Sequence, residues 1–353
     1  QYIDAGQLAF IDGVDKLYNR LSLQEVKDYM AFTVLNSAAS YLSDEFYEAK
    51  FDFYGRTLSG QQEPRLRWKR SLATTDAVLS EALGEIYVKK YFPQESKNRM
   101  LKLVANLQKA LQQHIEHLDW MNEETKARAL EKLAAITVKI GYPDKWRDYT
   151  ALEISPEKSY WENLKNASKF ETAYMLEKVG KEVDKSIWYM SPQTVNAYYN
   201  PTTNEICFPA GILQPPFFYA DADDAVNYGA IGVVIGHEMT HGFDDMGRQF
   251  DKDGNLSDWW TSEDTRQFNL RADILADQYS SIIVIDTVHA DGRFTLGENI
   301  ADQGGLRVAY TAFENATEGE KLPIIDGFTP EQRFYLAYAN LWASNIRDEE
   351  ILR

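Results

Sequence analysis

The stretch from Ile231 to His241 constrains this chain more than any other. Ile231, Val233, Val234 and Ile235 form an apolar run that leads into His237-Glu238-Met239-Thr240-His241. On a helix, positions i and i+4 lie on one face about one turn apart. A helix this apolar is expected to be buried, and buried polar side chains need partners. One metal ion serves both imidazoles at once, with Zn–N near roughly 2.0–2.1 Å. Two solvated helical histidines are the plain alternative, and the apolar run fits them poorly. The chain has only five histidines, so the pattern arises by chance on the order of once per hundred such chains or less.

Glu238 stands beside the first histidine. In this motif the glutamate polarises a zinc-bound water and takes its proton, and zinc lowers that water's pKa to about 7. A catalytic zinc has three protein ligands and one open position. The best source of the third is Gly297-Glu298-Asn299-Ile300-Ala301-Asp302. If this tract opens a helix, Glu298 and Asp302 share a face. Glu298 can then ligate, while Asp302 accepts the second ring N–H of a ligand histidine and fixes its tautomer. By itself Glu298 reads as a solvated helix-start glutamate; the upstream histidines favour the ligand. His114 and His117, among Gln112, Gln113 and Glu116, read as an exposed helix face. His289 stands alone in a loop-like tract. Asp251-Lys252-Asp253-Gly254-Asn255 has its glycine misplaced for a calcium loop and reads as a turn.

Elsewhere, Leu23 to about Ile140 reads as helical. Val26, Met30, Val34 and Ala38 recur at helical spacing, as do Leu101, Val104, Leu107, Leu111, Ile115 and Leu118. Asn122 is an N-cap candidate before Glu123-Glu124, and Gly141-Tyr142-Pro143 stops the helix. Asp144 to Pro156 reads as a loop, Tyr160 to Val179 as a helix, and Ala225 to Asp245 as another. Thr194 to Tyr199 and Glu205 to Phe208 read as strands around a turn at residues 200–204.

Net charge is −17, which disfavours a nucleic-acid partner because phosphate backbones are repelled. The single cysteine, Cys207, excludes an internal disulfide framework and a Cys-rich structural zinc site, and its apolar neighbours imply burial. No apolar run is long enough for a membrane span. Gln1 to Phe10 has neither the basic start nor the cleavage pattern of a leader.

Beyond the histidine motif, the chain resembles the neprilysin, endothelin-converting-enzyme and PepO family of zinc peptidases. The matching stretches are Lys139–Trp146, Val195–Tyr199, Phe208–Phe218, Val234–Asp245, Asp258–Trp260 and Leu296–Asp302. The resemblance implies a mainly α fold with a small β element. A partial helical domain over residues 1–140 would precede a thermolysin-like zinc-binding catalytic domain over 141–353. It implies one Zn2+ per chain, held by His237, His241 and Glu298. Asn196 and Ala197 would form the edge that hydrogen-bonds a peptide's backbone, as strand addition does. Ile212, Phe217, Val234 and Trp342 would form an apolar pocket for the residue after the scissile bond; read without the resemblance, these four are ordinary core.

The expected activity is endopeptidase cleavage of short peptides on the amino side of large hydrophobic residues, in an extracytoplasmic setting. The family pattern continues past Trp342 with a histidine and an arginine that no residue here matches. We therefore expect a piece of a longer protein that binds zinc and hydrolyses peptides weakly, since an oxyanion donor is worth about 10²–10³ in rate. The rival is an inactive zinc-containing peptide-binding scaffold; an intact Glu238 argues against it.

Overall fold

The computed structural model describes residues 6–352. The leader reading of Gln1 to Phe10 thus falls partly outside the described residues. In chain order the first elements are α1 (Leu8–Tyr18), α2 (Leu23–Ala38), α3 (Asp44–Phe51), α4 (Arg67–Val78), α5 (Ser80–Tyr91), α6 (Gln94–Glu116), α7 (Glu123–Ala134) and β1 (Thr137–Gly141). Then come α8 (Tyr160–Leu176), β2 (Tyr198–Asn200), β3 (Glu205–Pro209), α9 (Asp224–Asn227) and α10 (Val233–His241). The last are α11 (Ser262–Ser280), β4 (Ile283–Ile285), β5 (Val288–His289), α12 (Leu296–Ala316), α13 (Pro330–Leu341) and α14 (Asp348–Ile351). The chain is mainly α with few strands, as its sequence implies. No helix among the described residues is long and apolar enough to cross a membrane.

Two compact units form, both discontinuous. One takes the described residues up to Arg70, Thr150–Glu177, and those from Arg347; the other takes Ser71–Tyr149 and Lys178–Ile346. In the first unit, capping boxes start two helices: Ser22 with Glu25 for α2, and Ser159 with Glu162 for α8.

The second unit holds the histidine helix. Its buried spine is α6, where Met100, Leu103, Val104, Leu107, Ala110, Leu111 and Ile115 recur at spacings of three and four. That stripe faces α10 and α12 rather than a separate helical domain, so residues 71–140 share a core with the later helices instead of parting from them at 140. His114 belongs to this packing. It is half-buried, with Nε2 2.9 Å from Thr311 Oγ1 on α12, so the exposed-face reading holds for His117 and not for His114. Asn122 caps α7 as its sequence indicates, accepting from the Thr125 N–H at 2.9 Å.

One part of the helical reading needs correction. The helix stops at Ala134, and Thr137–Gly141 is a strand. Its β-branched residues pair in parallel with β3, Ile140 against Phe208. The sheet order is β1-β3-β2, with β2 antiparallel to β3 through the expected turn. β3 is buried along its whole length, Cys207 included, and burial pushes that thiol up to about 12. β2 is shorter than its sequence suggests and pairs on one side only, which leaves an open edge.

Candidate metal centre

The helix expected over Ala225 to Asp245 is assembled in three pieces. Asp223 caps α9, accepting from the Val226 N–H, and its other carboxylate oxygen takes a hydrogen bond from buried Arg333 Nε at 2.9 Å. A π-helical turn, Tyr228–Gly232, follows and runs into α10. Such turns accommodate an extra residue per turn and recur near functional sites. Here the turn lets Gly229 lie against the Phe334 backbone, where any Cβ would overlap.

Glycines also set the distance between α10 and α12. A Cβ on Gly236 would sit 2.7 Å from Gly305 O, and one on Gly305 would sit 2.5 Å from His237 N. The two backbones touch, and the first turn of α12 is thereby brought to the histidines.

The two Nε2 atoms of His237 and His241 lie 2.9 Å apart. Glu298 Oε2 is 3.4 Å from the first and 3.7 Å from the second. The opposite ring nitrogens are both occupied. His237 Nδ1 donates to Asp302 Oδ1 at 2.8 Å, and His241 Nδ1 donates to Asp244 Oδ2 at 2.7 Å. Both imidazoles are therefore held in the tautomer whose Nε2 lone pair faces its counterpart.

Two carboxylates compete for the third corner. Glu238 also offers an oxygen within 4.8 Å of both histidines. It is only 7% exposed, whereas the Glu298 side chain is 69% exposed and leaves the outer side of the cluster open. Burial drives the Glu238 carboxyl above its usual range, against the pull of His237 and His241. Burial drags the His241 imidazole down, but the hydrogen bond to Asp244 and the nearby carboxylates outweigh it and leave it raised.

The remaining residues singled out from sequence are less gathered. Asn196 and Ala197 lie directly before β2 at its open edge, with the Ala197 N–H donating to Asn196 Oδ1. Ile212, Phe217 and Val234 join one apolar cluster. Trp342, at the end of α13, is 56% exposed and stands outside that cluster. His289 is exposed on β5 and bonds Ser280 O. Asp244 was not identified from sequence. Its signal was His-x-x-Asp, three residues past His241 and beyond the helix end.

Two models of peptidase family M13 match the chain, over residues 1–143 and 196–353. The chain belongs to peptidase family M13. It is similar to Neprilysin-11 of Caenorhabditis elegans, 37% identical over 354 residues, covering 97% of this chain and 42% of that protein. Among solved structures it is similar to the zinc metalloprotease Zmp1 of Mycobacterium tuberculosis in complex with an inhibitor. The TM-score is 0.91 at 43% identity, covering 95% of this chain and 51% of that one. It also resembles PepO of Lactobacillus rhamnosis, with a TM-score of 0.85 at 30% identity, covering 95% and 52%. The chain spans about half the length of the curated relatives it matches.

The residues of this M13 chain fit a zinc ion. Three tetrahedral donors at roughly 2.0–2.1 Å from one ion stand about 3.3 Å from each other. The three separations between the Nε2 pair and Glu298 Oε2 bracket that value. The donor set, two imidazoles and a carboxylate, is one that catalytic zinc takes.

Proposed function

We propose that this chain carries the catalytic centre of a zinc endopeptidase, with one Zn2+ held by His237, His241 and Glu298. The observation that carries the reading is the convergence of two Nε2 atoms and one carboxylate oxygen within 2.9–3.7 Å, with Glu238 buried alongside. Zinc bound there supplies a Lewis acid that polarises the peptide carbonyl and acidifies water. Glu238 accepts the proton of the attacking water and delivers it to the leaving amine, so it ends the cycle as it began. Its buried position keeps bulk water from competing for that proton. Asp302 and Asp244 orient the imidazoles.

The peptide's backbone would add as a further strand along the open edge of β2, beside Asn196 and Ala197, through main-chain hydrogen bonds. Ile212, Phe217, Val234 and Trp342 would take a large apolar side chain after the scissile bond. The substrates would be short peptides, and the setting extracytoplasmic. Fractionation of the source cells, with antibody against the chain, checks the last point; a purely cytosolic pool refutes it.

Elemental analysis of the purified protein after reloading with zinc is expected to give one equivalent, and none for His237→Ala. A zinc-free parent sinks the proposal. Asp302→Ala is expected to weaken zinc about 10–100-fold, as loss of a ligand's supporting carboxylate does. Competition with a chromophoric chelator measures this; unchanged affinity would remove Asp302 from the site.

A further inference from the structure

Lys132 is the one large charged side chain among the fully buried residues whose ammonium meets no carboxylate partner among the described residues. It is 1% exposed on α7. Its Nζ donates to Gly247 O and to Phe250 O, both at 2.7 Å. The rings of Tyr199, Phe243 and Trp259 surround it, with centroids 5.7–5.9 Å away. Burying an ammonium is costly, and burial draws this one down to about 8 against the pull of Asp244 and Asp251. A leucine would fill the same volume without that cost, so the cation's two hydrogen bonds need an explanation.

What those bonds hold is the turn that follows α10. The N–H groups of Met246 and Gly247 both donate to Asp244 Oδ1, at 2.9 and 2.6 Å. The other oxygen of Asp244 takes the Nδ1 proton of His241 at 2.7 Å. Gly247 is packed on the His241 carbonyl so closely that a Cβ there would overlap it. The cation also lies over the ring of Tyr199, whose backbone N–H faces the Glu238 carboxylate. One ammonium thus underpins the supports of His241 and stands beside the strand residue that faces Glu238.

We propose that Lys132 is a positioning residue for the metal centre: it fixes the 244–250 turn so that Asp244 holds His241 in its ligating orientation. This rests on the zinc reading above. A general structural strut would make the same bonds, but its loss would not act through Asp244 in particular.

A double-mutant cycle on the full-length protein separates the two, with zinc affinity read by chelator competition and folding by circular dichroism. Asp244→Ala is expected to weaken zinc about 10–100-fold. Lys132→Met is expected to weaken it about ten-fold. Lys132→Met added to Asp244→Ala should change affinity by less than about two-fold, because residues acting in one network are not additive. Effects that multiply, or a folded Lys132→Met protein that binds zinc like its parent, overturn the proposal. Should Lys132→Met fail to fold, Lys132→Gln, which keeps one amide donor, carries the same cycle. If neither folds, the residue serves the whole unit and the proposal falls. A parent that binds no zinc instead refutes the zinc reading beneath it.

Discussion

Replacing Glu238 by glutamine is expected to leave zinc in place while lowering peptide hydrolysis about 10²–10⁴-fold, the usual worth of a general base. Glutamine keeps the shape of the side chain, and the proposed ligand set does not include it. An amide cannot accept the proton of water. Elemental analysis and turnover of a quenched fluorescent peptide by the full-length protein are the two measurements. Turnover that survives the substitution would remove Glu238 from its assigned role, and zinc that disappears would mean it is a ligand after all.

A second large effect is expected from a residue that touches no metal. Gly305→Ala places a methyl 2.5 Å from His237 N and 2.7 Å from Val233 O, both backbone atoms that cannot swing aside. α12 must then retreat from α10, and it carries Glu298 and Asp302 with it. Metal sites tolerate errors of about 0.2 Å in ligand distance, so a shift of several tenths of an ångström is expected to weaken zinc by about 10²-fold or more. Gly13→Ala, on α1 with nothing within 4 Å of the added methyl, is the control and should bind zinc like its parent. If Gly305→Ala also binds normally, the helix contact does not set the site's geometry.

The side-chain pairs of the candidate centre were legible in sequence because their spacing is local. His237 and His241 are one turn apart, and so are Glu298 and Asp302, so helical periodicity alone puts each pair on one face. Asn122 was legible for the same reason, since a cap is a short-range feature. What escaped needed knowledge of long-range contacts. Gly236 and Gly305 are 69 positions apart, and only their close approach in space gives them meaning. β1 was absorbed into a helix because its pairing partner, β3, lies far along the chain. Asp244 lies past the end of α10, where helical spacing no longer predicts direction. Lys132 left a trace that could have been read: it falls on the stripe of α7 that buries Thr125, Ala129 and Leu133.

The interrupted course of the chain has a consequence for how it is made. The spine helix α6 meets α12 at a pair of residues, His114 and Thr311, 197 positions apart. At synthesis rates of about 5–20 residues per second, α6 would wait on the order of 10–40 s before that partner leaves the ribosome. Until then the part of its apolar face that α12 covers lacks that partner. Assembly of the candidate metal centre therefore waits on α12, and its histidines are translated before the glutamate that meets them.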